Sequence, residues 1–169
     1  DGAVSGTAMC VEANAAVEAS LATRRPVLVF TTAGPGLSNA LTGMLAARWD
    51  GAHVIFISAA TSSMNRGRLA TQETTPATVG AGLFMPGGAL HYATMLEHPA
   101  QLGPVVAQLA AGLTRPGGFV AHVSLPIDIQ STAAAGPVRL VDHGAHGDLA
   151  PMCAQQVIDR HAALIAGRR

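Results

Sequence analysis

The chain is short of aromatic and of charged residues. Aromatics make up 4% and charged residues 12% of its 169 positions. With so few large rings, the core must be built from small and branched aliphatics, which favours helices packed closely on a sheet. With so little charge and 49% hydrophobic residues, disorder is excluded for most of the chain. A surface this poor in Lys and Glu is often partly covered by other domains or subunits. Basic and acidic residues balance at 10 each, so nothing marks a binder of the nucleic-acid backbone. The pairs Arg24-Arg25 and Arg168-Arg169 are too small for such a patch. Only two cysteines occur, Cys10 and Cys153, far apart and in no metal or disulfide spacing, so a reduced, cytoplasmic setting is the expectation. Long apolar runs are also lacking. The strongest, residues 54–60, is far too short to span a membrane, and the opening Asp1-Gly2-Ala3-Val4 is no signal peptide.

What is present alternates. Residues 11–23 read as a small-residue helix, with Pro26 after it as a stop. Val27-Leu28-Val29-Phe30-Thr31 reads as a parallel strand buried on both faces. After Gly34-Pro35-Gly36, residues 37–48 read as one helix with Leu37, Leu41, Met44 and Leu45 on one side. Residues 53–58 form a second buried strand. Residues 59–89 are irregular, with one helical turn expected near Gln72; so long an irregular stretch is often functional. A short strand at 90–95, a helix at 99–113 and a third buried strand at 119–125 follow. The helix carries an apolar stripe of Leu102, Val105, Val106, Leu109 and Leu113. The alternation predicts an α/β fold, a mostly parallel sheet flanked by helices, with right-handed crossovers. Residues 131–150 read as a linker and 151–169 as the first helix of a following domain.

Three segments could carry chemistry. Thr31-Thr32-Ala33-Gly34-Pro35-Gly36 joins a strand to a helix at the edge where open α/β sheets bind ligands. Its glycines let backbone approach a flat ligand, Pro35 stiffens it, and the helix N-terminus behind it can face polar or anionic groups. As a plain sequence pattern it is also an ordinary tight turn. It is neither a P-loop nor a dinucleotide fingerprint. Glu12 stands near the start of an apolar helix. There an acid is favoured by the helix dipole, and burial would raise its pKa into a proton-sharing range. Gln72-Glu73 reads by itself as a solvated polar pair. Asp142, His143, His146 and Asp148 resemble a metal set only loosely, in a Gly-rich linker.

In order and rough spacing, Glu12, Thr32-Ala33-Gly34-Pro35-Gly36, Asn39, the strand from His53 to Ser58, Gln72-Glu73, Arg115-Pro116-Gly117 and Pro126-Ile127-Asp128 resemble the aminopyrimidine-binding (N-terminal) domain of thiamine-diphosphate-dependent enzymes of the acetolactate synthase and benzoylformate decarboxylase type. The resemblance covers residues 10–130. It departs from the family pattern at Val11, where His is frequent, and at Thr71, where Phe is frequent.

The resemblance implies residues 1–130 as the pyrimidine domain, N-terminally incomplete by its first strand and helix. It implies Glu12 as the catalytic acid that activates the aminopyrimidine. Gly34, Pro35, Gly36 and Asn39 would lie on the cofactor side, and Gln72 toward the substrate. The implied cofactor is thiamine diphosphate with Mg²⁺, the diphosphate and metal being held by a domain of another subunit; FAD is left open. A 2-oxo acid would be the substrate, in a homodimer or homotetramer, with no nucleic-acid or membrane partner. Two alternatives stay open at this point: a non-catalytic pyrimidine-domain subunit or degenerate relative acting as an assembly partner, and an unrelated mononucleotide-binding module.

Overall fold

The computed structural model describes residues 6–133. The expected linker and following helix, Cys153, and the Asp142 to Asp148 set lie outside the described residues, except for the first three linker positions.

Four parallel strands form one sheet in the order β1-β2-β4-β3. They are β1 (Val27–Thr31), β2 (His53–Ala60), β3 (Tyr92–Met95) and β4 (Phe119–Pro126). The α/β expectation with a parallel sheet therefore holds. The central pair, β2 and β4, aligns His53 with Phe119 through Ala60 with Pro126. Both central strands are rich in β-branched and small residues, as strands covered on two faces are.

One face of the sheet carries Val29, Val54, Phe56 and Val120, all buried. Against it pack α1 (Gly6–Thr23), α2 (Pro35–Asn39) and α3 (Leu41–Asp50) through Ala13, Val17, Leu37, Met44 and Ala47. The fit of α1 on α3 depends on size. A Cβ added at Gly43 would lie 2.5 Å from the Ala13 Cβ, so only glycine lets these two helices approach so closely. Ser20 of α1 closes the same layer. Its hydroxyl accepts from the His53 N–H at 2.9 Å and lies 3.2 Å from the His53 carbonyl, tying the helix to the start of β2.

The other face carries Ile55, Phe119, Ala121 and Val123, covered by α5 (Leu102–Leu113) through Val105, Leu109 and Leu113. Two short helices, α4 (Pro76–Val79) and α6 (Ile127–Gln130), complete the described elements together with single 3₁₀ turns.

Several expectations are corrected. Strand β1 is an edge strand, and Leu28 and Phe30 are 54% and 66% exposed, so it is not buried on both faces. The helix expected at 37–48 is two helices that meet at Ala40. Nothing in its apolar spacing marks that break, because Leu37, Ala40 and Met44 are all fully buried across it. Helix α1 begins at Gly6, so Glu12 stands beyond its first turn and the dipole argument for it lapses. The expected helical turn near Gln72 is instead a tight turn, and helix resumes at Pro76. The helix expected at 99–113 opens with a 3₁₀ turn over Pro99–Gln101.

The core also holds one ionisable chain of hydrogen bonds. His122 is fully buried on β4. Its Nδ1 faces the Leu83 carbonyl and its Nε2 lies 2.8 Å from Ser58 Oγ. A carbonyl only accepts, so Nδ1 carries the proton and the Ser58 hydroxyl donates to Nε2. Burial pushes the His122 pKa down, only partly offset by the Leu83 bond, and the ring is neutral in the fold. The unfolded chain therefore takes up a proton first as pH falls below the ordinary histidine value of about 6.5. Stability is expected to fall with decreasing pH from there, by at most about 1.4 kcal/mol per pH unit for this group. Urea unfolding at pH 5.5 and 7.5 checks this. His91 contributes in the same sense, so the comparison is with His122→Gln, which should be less stable at pH 7.5 but flatter in its pH dependence. An equal slope in the variant would remove His122 from the account.

Candidate cofactor-facing site

A close backbone junction lies at the carboxyl end of β1, where the Gly34 turn meets the Gln72 turn. Gly34 has φ 65° and ψ −120°, a conformation closed to residues with a side chain. A Cβ at Gly34 would sit 2.7 Å from the Gln72 Cβ and 3.0 Å from its carbonyl oxygen. The two segments, 38 positions apart, thus touch backbone to backbone.

Thr74 fastens them. It is 2% exposed; its hydroxyl accepts from the Gly34 N–H and donates to the Gln72 carbonyl at 3.1 Å. Gln72 is itself at φ 62°, a left-handed conformation uncommon for a residue with a side chain. Its side chain is exposed, beside Gly34. Glu73 is not a solvated residue. It is 9% exposed, and its two carboxylate oxygens accept from the Gly67 and Ala70 N–H groups. It therefore clamps the loop before the turn, while Gln72 is left facing out.

Pro35 opens α2 and is exposed, and Gly36 packs on the Thr32 side chain. Helix α2 is only five residues long, so what it offers at this edge is a few backbone N–H groups and not a long dipole. Asn39 ends α2, half-buried, and no described residue hydrogen-bonds its side chain. Glu12 is exposed on α1, next to Ala13, which anchors that helix on Gly43. No described residue hydrogen-bonds the Glu12 carboxylate, and none joins it to the Gly34 turn. The fold therefore brings Gly34, Gln72 and Thr74 into contact, while no hydrogen bond among the described residues joins the Glu12 or Asn39 side chain to them. Among the described residues no cluster of three or more His, Cys, Asp or Glu could hold a metal.

Thr74 went unnoticed in the sequence because a Thr inside Glu73-Thr74-Thr75-Pro76 looks like ordinary turn chemistry. Its importance here is measurable. Thr74→Val leaves the buried Gly34 N–H without a partner and should cost about 1–3 kcal/mol. Thr74→Ser keeps the hydroxyl and should recover most of it. Urea denaturation and amide exchange at Gly34 read both, and equal exchange in wild type and the Val variant would discount this contact.

Residues 9–95 match the family described as thiamine pyrophosphate enzyme, N-terminal TPP binding domain, and the chain belongs to that family. Among solved structures, it is similar to a protein from Mycobacterium smegmatis described as a thiamin diphosphate-dependent enzyme, with a TM-score of 0.68 and 19% identity over 78% of this chain. It is also similar to benzoylformate decarboxylase from Polynucleobacter necessarius, with a TM-score of 0.66 and 18% identity over 79% of this chain. At such identities the likeness is one of fold. The chain spans 24% of the length of each of these two proteins. A comparison with curated protein sequences gives no match.

Proposed function

We propose that this chain supplies the aminopyrimidine-contacting part of a thiamine-diphosphate-dependent 2-oxo acid decarboxylase or carboligase of the acetolactate synthase type. The observation that carries the reading is the Gly34 turn locked on Gln72 by Thr74, within the segment that matches the family.

In this reading the turn would offer backbone and Pro35 to the cofactor's flat ring. At the Gly34-Pro35-Gly36 turn, the Gly34 backbone is held by Thr74, the places a Cβ would take at Gly34 and Gly36 are filled by Gln72 and Thr32, and Pro35 is the exposed residue between them. Glu12 presents an exposed carboxylate that no described residue engages, as a group completed by a ligand from outside the chain would. In this reading Glu12 would hold the aminopyrimidine through a proton shared with its carboxylate. Gly34, Pro35 and Gly36 shape the contact with the ring, and Asn39 supports the turn. Gln72, exposed in a fixed backbone conformation, reaches toward the 2-oxo acid. The bound cofactor supplies the electron sink for cleaving the bond between the carboxylate and the carbonyl carbon. In this reading diphosphate and Mg²⁺ would be held by a domain of another subunit in a homodimer or homotetramer.

The test is CO₂ release from pyruvate and a panel of 2-oxo acids by the intact protein, with and without thiamine diphosphate and Mg²⁺. Release that requires the cofactor is expected. No release from any acid would shift the reading to a non-catalytic assembly partner.

A further inference from the structure

Left-handed backbone is concentrated in one short loop. Among the described residues, Arg24, Leu69 and Gln72 are the non-glycine residues with positive φ. Leu69 at φ 56° and Gln72 at φ 62° stand close together in the chain, and Gly67 at φ 80° precedes them. Such a conformation is disfavoured for a residue with a side chain and persists only where the surroundings over-determine it. Packing of the two side chains does not offset it, because Leu69 is 85% exposed and Gln72 is exposed as well.

What holds the loop is Glu73. Its buried carboxylate accepts from the Gly67 N–H and, at 3.2 Å, from the Ala70 N–H, so the bonds fall on both sides of Leu69. Its own N–H donates to the Ala70 carbonyl at 2.9 Å, and its carbonyl accepts from the Thr78 hydroxyl at 3.1 Å. The Gln72 carbonyl accepts from the Thr74 hydroxyl at 3.1 Å. The chain is therefore fastened before Gln72 and after it, and Gln72 cannot leave its left-handed conformation without breaking one of these bonds.

The carboxylate is the member that a similar shape does not replace. Bonds from backbone N–H groups to an ionised acceptor are stronger than neutral ones. A glutamine at position 73 would keep the length, but its amide nitrogen is a donor and would face a backbone N–H, so one of the two bonds is lost.

We infer that Glu73 is a positioning residue for the 2-oxo acid: its carboxylate holds the Gly67–Gln72 loop so that the exposed Gln72 side chain is presented to the substrate beside the Gly34 turn. This rests on the function proposed above, in which Gln72 reaches toward that substrate. Glu73 acts through Gln72 and not by contact of its own.

The experiment is the CO₂ assay on the intact protein with Glu73→Gln, Gln72→Ala and the double variant. Glu73→Gln is expected to raise KM for the 2-oxo acid about tenfold, the scale of one hydrogen bond to a charged group, with thiamine diphosphate affinity unchanged. Gln72→Ala, in which the clamp is intact, should raise KM to a similar extent. The double variant should be no worse than Gln72→Ala, since residues that act as one unit are not additive. If Glu73→Gln does not fold, the same cycle is run with Glu73→Asp, which keeps the charge but is one methylene shorter. Additive losses, or a wild-type KM in the position 73 variant, would overturn the inference and leave the proposed function standing. No release by the wild-type protein would remove both.

Discussion

Glu12→Gln is expected to lower cofactor-dependent CO₂ release by the assembled enzyme at least about a hundredfold, the usual scale for removing a proton-transferring side chain. Gln has the shape of Glu and can still hydrogen-bond a ring nitrogen, but it cannot share a proton with it. The loss should therefore fall on kcat more than on cofactor affinity. Stability should hardly change. Glu12 is exposed, no described residue hydrogen-bonds it, and its helix is fastened by its neighbours Ala13, Val17 and Ser20. A change within about 0.5 kcal/mol is expected from such a position. Urea unfolding, cofactor titration and turnover on one preparation separate the two effects. A variant that unfolds early would make Glu12 structural. One that turns over at the wild-type rate would count against the catalytic assignment and favour a non-catalytic relative.

Gly34→Ala is expected to destabilise the chain by about 2–6 kcal/mol. Two costs combine. At φ 65° and ψ −120°, a conformation outside the left-handed helical region and essentially restricted to glycine, a side chain is disfavoured by about 1–3 kcal/mol. The new Cβ, 2.7 Å from the Gln72 Cβ and 3.0 Å from its Cα, overpacks a contact that includes backbone, which typically adds about 1–3 kcal/mol. The Gln72 turn must shift, and the Thr74 bond to the Gly34 N–H is strained or lost. Through that displacement the variant should also lower turnover in the intact protein, because Gln72 and the Gly34 turn no longer share one geometry. Urea denaturation reads the first effect and the CO₂ assay the second. Loss of stability with full turnover would show the junction to be a folding device only. Retention of both would contradict the backbone geometry itself.

The sequence by itself determined the layer order. Runs such as residues 27–31 and 53–58 alternate with helical stretches, and that alternation by itself specifies a parallel sheet with helices packed on it, whichever strand faces end up covered. The Gly-Pro-Gly turn was equally plain, since glycine and proline act through their own backbone restrictions and need no neighbour to show it. The ordered set from Glu12 to Asp128 carried the family, now matched over residues 9–95.

Tertiary structure decided what lies against what. Leu28 and Phe30 are as apolar as Ile55, yet they stand exposed at a sheet edge while Ile55 is buried, and residue type cannot reveal which strand is central. Gln72 and Glu73 are adjacent and both polar, yet one faces out and the other is buried as a clamp, because two backbone N–H groups wait only on one side. Thr74 and His122 gain their roles from partners 40 and 39 positions away. Hydrogen-bond partners at such separations are set by the register of the sheet and the path of its loops. Periodicity along the chain reports which side of an element is covered, but carries no record of what covers it.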